Sequence, residues 1–306
     1  MRDKKGVVTV ENRNMQMRWN RGVTVTEEGV IKISKWQDEY NPFDHYYPTG
    51  SSAEDGAKSL YLEFASLRHD EESVHEFVEK YGLLGLAYRQ GLSRDLAFAH
   101  CTNSEGPDHA RHDVVKMSVG TIGITVEDFD EFVATSKWMA LLVDLWGALK
   151  AQNVKRVREL MLDSWKIQAL GGLGMAHPLV LAAASGPYHG DVTPQAVIGG
   201  GWHWLLNWLD DELAGMVWPS LVMEWPKTTE EFVTGSPKQV WVANTLLAAM
   251  YAMLQQDMTG ELPAKRCKNG ACRKFFIPQR SNNEFCHKTC GNAYRQREYR
   301  KQGKAH

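Results

Sequence analysis

Four of the five cysteines in this 306-residue chain lie in its last forty residues, so the fold of this end is tightly constrained. Cys267 and Cys272 enclose four residues, and Cys286 and Cys290 enclose three. A zinc ion prefers four tetrahedral sulfur or nitrogen ligands, and two closely spaced pairs supply them with little loss of chain entropy. The spacing therefore predicts a structural Zn2+ site formed by Cys267, Cys272, Cys286 and Cys290.

The alternatives for these cysteines are disulfides or free thiols. Disulfides need an oxidising compartment, and residues 1–6 carry charges without an apolar run, so no signal peptide is expected. No stretch of the sequence is expected to be long and apolar enough to span a bilayer. The sequence thus predicts a cytoplasmic protein without a membrane segment. His287 is the only other candidate ligand nearby, and because it adjoins Cys286 we expect its side chain to point elsewhere.

The residues around the cysteines predict how the ligands are held. Asn269-Gly270 is a tight-turn dipeptide in which the glycine can take a positive φ. Residues 275–277 are typical of a short strand that ends at Pro278, and 289–302 favour a helix. A knuckle, a hairpin and a ligand-bearing helix together predict a treble-clef-like zinc finger. Such a small module has little core, so the metal should be its main source of stability.

Basic residues are concentrated at the same end of the chain. Of the 35 basic and 37 acidic residues, twelve basic and two acidic ones lie in 264–306, so this segment has a charge of +10 and the rest −12. Cations contact phosphates and release counterions, and the interleaved Tyr294 and Tyr299 could stack on bases. The alternative is a solvated basic helix that balances an acidic body. The predicted nucleic-acid-binding residues are Arg273, Lys274, Arg280, Lys288, Arg295, Arg297, Arg300 and Lys301.

These residues resemble a known family. The motif CKNGACRKFF from Cys267 and the motif FCHKTCGN from Phe285, with an arginine-rich end, are similar to the CGNR-type zinc fingers of bacteria. The resemblance implies a larger helical domain before the finger and a role as a stress-related transcription regulator. It implies that the four cysteines are the ligands and that Arg295, Arg297 and Arg300 form the basic helix. Residues 60–64 and 77–85 are similar to the opening of that helical domain.

The chain departs from the family signature at one position. The arginine that follows Gly-Asn in the signature is replaced here by Ala293. Any contact that this arginine makes is therefore absent or moved to Arg295.

The remaining sequence predicts a mainly α fold. Residues 1–45 are expected to form a small antiparallel β element with strands at 6–10, 23–25 and 30–33, because β-branched residues alternate or cluster there. Residues 57–260 are expected to form a helical domain, followed by the finger at 264–306. Apolar periodicity predicts helices at 71–81, 126–151, 153–170, 202–216 and 237–258, the second opened by a capping box at 125–128.

No group of residues combines a nucleophile, a base and an orienting partner, so no enzyme is predicted. The glycines at 171–174 and 199–201 lack the phosphate-loop and dinucleotide patterns. The remaining candidates have structural interpretations: a polar loop with Asp108, His109 and His112, a buried Cys101, a solvated carboxylate face at 210–212, and core tryptophans rather than an aromatic pocket.

The leading hypothesis is a DNA-binding transcription regulator whose helical domain senses a ligand or mediates association. DNA is favoured over RNA, and one short helix per finger favours a homodimer. The first alternative is a protein-interaction module in which the basic face docks onto an acidic surface. The second is an RNA-directed or phage-defence effector with an unrecognised activity.

Overall fold

The fold is mainly helical, with a small antiparallel sheet near the N-terminus, as predicted. The chain divides into two compact units: Met1–Tyr46, Glu71–Phe132 and Glu212–Ala252 form the first, and Tyr47–Asp70, Val133–Asp211 and Met253–His306 form the second. The predicted domain limits at 45, 57, 260 and 264 stay a prediction. The computed structural model describes residues 15–16, 19–46, 59–86, 126–171, 193–222, 238–260, 262–278, 280 and 282–302.

A β-hairpin opens the described part of the first unit. Strands β2 (Trp19–Glu27) and β3 (Val30–Tyr40) pair antiparallel and contain the predicted strands at 23–25 and 30–33. Glu28 and Gly29 connect them with φ values of 54° and 79°, the conformation of a two-residue hairpin turn. The predicted strand at 6–10 lies outside the described residues.

Helix α2 (Glu71–Tyr81) covers the hairpin, with the bounds that its apolar periodicity predicts. His75 bonds through its two ring nitrogens to the hydroxyls of Thr24 and Thr26 on β2, at 2.5 and 2.7 Å. The Trp19 indole donates to the Leu83 carbonyl at 2.8 Å. These polar contacts hold helix α2 and the loop that follows it against the sheet.

The predicted capping box at 125–128 is wrong. Strand β4 (Val126–Asp128) pairs with β3, and helix α3 (Phe129–Lys150) begins after it. Asp128 caps this helix, because its Oδ1 accepts the Glu131 N–H at 2.8 Å. Glu127 is 4% exposed and takes no part in capping. Its carboxylate instead accepts backbone N–H groups from Leu84, Gly85 and Leu86.

A second small sheet replaces part of a predicted helix. Strand β6 (Lys238–Ala243) pairs antiparallel with β5 (Val217–Val222) and parallel with β1 (Met15–Gln16). Helix α6 (Leu246–Met258) therefore starts later than predicted, with Thr245 as its cap. The run Gln-Val-Trp-Val at 239–242 is β-branched and aromatic, and such residues fit a strand better than a helix.

Helices dominate the second unit. Helix α1 (Leu60–Phe64) is short, and most of α3 belongs here. Helix α4 (Val154–Gly171) starts after the Asn153 cap, close to the predicted 153–170. Helix α5 (Pro194–Leu213) starts eight residues before the predicted 202 and continues through the glycines at 199–201. Trp138 on α3 packs edge-on against Trp204 and Trp208 of α5, with ring centroids 6.0 and 5.3 Å apart.

Helix α3 is, contrary to the sequence prediction, long and apolar enough to cross a membrane by length and composition. In its most apolar window 72% of the residues are buried, which is also the pattern of a core helix in a soluble protein. Within the described ranges it is the only helix that meets the criterion.

Two glycines of α5 should respond in opposite ways to the same substitution. A methyl group at Gly201 would lie 2.7 Å from Leu149 Cδ2 and 3.2 Å from Val157 Cγ1. We therefore expect Gly201→Ala to lower the free energy of unfolding by about 1–3 kcal/mol through overpacking. At Gly199 no described atom lies within 4 Å of such a methyl group. We therefore expect Gly199→Ala to raise the free energy of unfolding by about 0.5–1 kcal/mol. Urea unfolding of both variants tests this, and equal shifts would contradict the close approach at Gly201.

Candidate metal centre and basic surface

A short hairpin carries the first cysteine pair. Strands β7 (Lys265–Arg266) and β8 (Phe275–Phe276) pair antiparallel, which confirms most of the strand predicted at 275–277. Between them the Cys272 N–H donates to the Asn269 carbonyl at 2.7 Å, and Asn269 Oδ1 accepts the Ala271 N–H at 3.3 Å. The loop between the cysteines is therefore closed by Asn269.

Asn269-Gly270 lies in a tight turn, as predicted, but Gly270 does not take the positive φ that glycine allows there. The residue in the left-handed region is Arg273, with φ at 53°. Because the Asn269 side chain already closes the turn, the chain reverses one residue after Cys272. The Cys267 N–H then donates to the Lys274 carbonyl at 2.8 Å and locks the two sides of the loop together.

The second cysteine pair lies at the start of helix α7 (Lys288–Gln302), which agrees with the predicted helix at 289–302. Cys286 precedes the helix by two residues, and Cys290 lies in its first turn. The His287 ring bonds through Nδ1 to the hydroxyl of Thr289 at 2.8 Å, so this side chain is engaged locally, as expected from its position beside Cys286.

The four thiols converge on one point. Their Sγ atoms all lie within 4.8 Å of one another, and the Cys272–Cys286 and Cys286–Cys290 distances are 3.5 and 3.6 Å. A tetrahedral ion with metal–sulfur bonds of about 2.3 Å requires sulfur atoms about 3.8 Å apart. A disulfide requires about 2.05 Å, and all four cysteines are free. The cluster therefore has the size to hold a single metal ion.

The pKa shifts of the clustered thiols explain why a cation fits the site. Burial and the neighbouring thiols raise the pKa of Cys286, and burial raises that of Cys290. Burial also acts upward on the pKa of Cys272, but the Lys274 N–H and the neighbouring thiols outweigh it and the pKa falls below its ordinary value. Four thiolates at these distances repel one another, and a divalent cation compensates their charge.

The hairpin packs on the helices of the second unit. Phe275 is fully buried, and its N–H donates to the Ser66 hydroxyl at 2.9 Å. The Arg266 guanidinium lies 4.3 Å from the Phe275 ring centroid and pairs with Asp144 of α3 at 2.8 Å. Lys150 Nζ donates to the Gly260 carbonyl at 3.0 Å, just before the hairpin. The hairpin is thus anchored to the helices of the second unit through residues of β7 and β8.

Most of the predicted nucleic-acid-binding residues are exposed cations that take no part in these anchoring contacts. Lys301 pairs with Glu298 at 2.9 Å, and Arg295 donates to the Asn292 side chain at 2.6 Å. The other cations, and Arg295 itself, form no ion pair with any described residue. Arg297 is partly exposed, and the remaining seven are exposed: Arg273, Lys274, Arg280, Lys288, Arg295, Arg300 and Lys301.

The two tyrosines of α7 have different surroundings. Tyr294 packs against Phe285, with ring centroids 5.4 Å apart, and Lys268 lies 5.8 Å from the Tyr294 ring. Gly291 faces the same phenylalanine, since a methyl group there would lie 3.3 Å from its ring. Tyr299 is 79% exposed. One tyrosine supports the helix, and the other is available for contact.

Sequence reasoning did not find the residues that anchor the finger. Ser66 and Asp144 lie 209 and 122 residues from their partners Phe275 and Arg266. No local pattern indicates such pairs. Comparison of the chain with protein-family models, curated proteins and solved structures gives no match.

Proposed function

We propose that this protein is a zinc-containing, DNA-binding transcription regulator with a treble-clef-like finger of the CGNR type. One observation carries the proposal. A four-thiol cluster of the size that a tetrahedral ion needs lies at the start of a helix whose exposed cations are mostly without ion pairs among the described residues. Such a helix is a stable platform for phosphate contacts.

The metal in this proposal is Zn2+ and its role is structural. Sulfur-rich four-ligand sites are typical of zinc in folded proteins, and four protein ligands leave no open position for catalysis. When bound, the ion would link the hairpin to the helix start. Cys267 and Cys272 would hold it from the hairpin side, and Cys286 and Cys290 from the helix side.

The ion pairing of the arginines favours DNA over the protein-interaction alternative. That alternative places the arginines of the finger in ion pairs with an acidic surface of the body. Arg266 forms such a pair with Asp144, whereas Arg297 and Arg300 of α7 form none with the described residues. The cations of the helix are therefore available to an external polyanion.

The shape of the basic element favours duplex DNA over RNA. Helix α7 has 15 residues and is about 22 Å long, close to the rise of six base pairs. The major groove of B-form DNA admits an α-helix, whereas the groove of A-form RNA is too deep and narrow. One such helix per chain gives few contacts, so we propose that the protein binds as a homodimer through its helical part.

Binding of duplex DNA across salt concentrations tests the proposal. Each phosphate contact contributes about 0.9 to the slope of log K against log salt, so Arg295→Ala/Arg297→Ala should lower the slope by about 2. The same relation predicts a loss of about ten- to a hundredfold in affinity at 0.1 M salt. Lys35→Ala/Lys155→Ala is the control, because it removes the same charge from exposed positions on β3 and α4. A flat salt response of the unmodified protein, or equal losses in both double variants, would contradict DNA binding.

A further inference from the structure

A second cationic surface lies beside the anchored hairpin. Its members are Lys137 on α3, His69 in the loop after α1, and Arg273 in the hairpin loop. Two hydrogen bonds hold these segments together: His69 Nε2 lies 3.3 Å from Ser136 Oγ, and the Phe275 N–H donates to Ser66 Oγ at 2.9 Å. Lys137 follows Ser136, and Arg273 lies two residues before Phe275, so both flank the loop at 65–70.

The charges of this surface act on one imidazole. Burial lowers the pKa of His69, and Lys137, Arg273 and Arg266 lower it further, with Asp70 opposing them. Two of these charges are compensated, since Arg266 pairs with Asp144 and Asp70 pairs with Arg68.

Lys137 and Arg273 are the members without compensation. Both are exposed, and neither forms an ion pair with a residue in the described ranges. Two uncompensated cations thus act on a half-buried histidine, and the anion that opposes them, Asp70, pairs with Arg68, so a further anion would relieve the remaining repulsion.

The hydrogen bonds also define what the histidine can donate. The Ser136 hydroxyl donates to the Phe64 carbonyl at 2.8 Å, so its oxygen accepts from His69 Nε2–H. The other ring nitrogen, Nδ1, is then a donor only when the ring is protonated. An oxyanion bound beside Lys137 and Arg273 would favour protonation of His69 at Nδ1, because its negative charge offsets the positive charge of the two neighbouring cations.

We propose that Lys137, His69 and Arg273 bind a backbone phosphate of the same DNA that helix α7 contacts. The DNA-binding surface then extends from the finger onto α3. Continuity supports this: Arg273 follows Cys272, whose Sγ lies 3.5 Å from that of Cys286 at the entrance to α7. The inference rests on the proposed function, and it adds a contact that the body of the protein makes.

Duplex binding by Lys137→Ala, measured beside Lys155→Ala, tests this phosphate site. Lys137→Ala should lower the salt slope by about 0.9 and weaken binding about eightfold at 0.1 M salt, the contribution of one phosphate contact. Lys155→Ala removes an exposed lysine of α4 and should leave binding unchanged. Suppose that the full chain binds duplex DNA and that substitutions in α7 weaken this binding, but that Lys137→Ala and Lys155→Ala bind alike. The phosphate site is then overturned, whereas the proposal of DNA binding is not. If the full chain binds no duplex at any salt, the proposed function is overturned.

The pH dependence of binding tests His69 separately. Binding should take up a proton at this ring, so affinity should rise between pH 8 and pH 6. In His69→Asn this rise should be reduced, and asparagine tolerates the φ of 67° at that position. An unchanged pH dependence in His69→Asn would overturn the role of the imidazole. Lys137-dependent binding of polyglutamate, without binding of duplex DNA, would overturn the choice of phosphate as the occupant.

Discussion

Replacing Cys286 by Ala is expected to abolish stoichiometric zinc binding and to unfold the hairpin together with helix α7. Cys286 lies within 3.6 Å of two other thiols, and its loss leaves an incomplete ligand set. Strands β7 and β8 have two residues each, and Gly291 is the only residue of α7 that is buried among those whose burial is described. Isolated helices of this length are marginal in water, so the ion would supply most of the stability, on the order of 10–16 kcal/mol as in zinc-finger peptides.

Native mass spectrometry and hydrogen exchange of the full chain measure this effect. The unmodified protein should carry one zinc ion, and Cys286→Ala should carry none and exchange rapidly over 265–302. Chelation of the unmodified protein should give the same exchange pattern. Cys101→Ala is the matched control, because Cys101 is the one cysteine of the sequence outside the two closely spaced C-terminal pairs. One tightly held zinc ion in Cys286→Ala, with protected amides over 265–302, would contradict the four-thiolate site.

Glu127→Ala is expected to destabilise the first unit by about 3–5 kcal/mol at pH 5. The Glu127 carboxylate accepts the N–H groups of Leu84 and Leu86 at 2.9 Å each, and also that of Gly85. Each buried N–H left without a partner costs about 1–3 kcal/mol. Two further contacts depend on the same loop: the Leu247 N–H donates to the Leu84 carbonyl, and the Trp19 indole to that of Leu83.

The loss in Glu127→Ala should depend on pH in a defined direction. Burial raises the pKa of Glu127 from 4.5 to about 7, although the three backbone N–H groups act downward. The folded protein therefore holds a proton between about pH 4.5 and 7 that the unfolded chain releases, so the stability of the unmodified protein falls as the pH rises through this range. The difference in unfolding free energy from Glu127→Ala should shrink by up to about 3 kcal/mol between pH 5 and pH 8.

Urea unfolding at several pH values measures both parts of this prediction. Glu76→Ala is the control, because Glu76 is an exposed glutamate of α2 and its removal should change stability by less than about 0.5 kcal/mol. Hydrogen exchange of the Leu84–Leu86 amides should accelerate in Glu127→Ala alone. A loss below 1 kcal/mol at pH 5 would contradict the role of the Glu127 carboxyl group as a hydrogen-bond acceptor, and a loss independent of pH would contradict its raised pKa.

Secondary structure could be predicted where the determining interactions are local. The periodic helix at 71–81, the helix start at Asn153 and the hairpin around Glu28-Gly29 depend on neighbours within a few residues, and the structure has them. The helix predicted at 237–258 was wrong over its first part, because β6 gains its partners from β1 and β5, which are distant in sequence. The glycines at 199–201 are helical, and Gly201 lies where α5 packs closely on Leu149 and Val157.

The cysteine spacing and the concentration of positive charge in 264–306 are properties of the sequence by itself. They determined that the C-terminal end could gather four thiols beside a basic helix, because both pairs are close in the chain and the helix is continuous with the second pair. The tertiary structure decided which cations remain available. Arg266 pairs with Asp144 on α3, whereas Arg273 and Lys137 are exposed and form no ion pair with a described residue. Pairing across more than a hundred residues depends on how helices and hairpin pack, and that packing brings the body of the protein to the edge of the proposed DNA-binding surface.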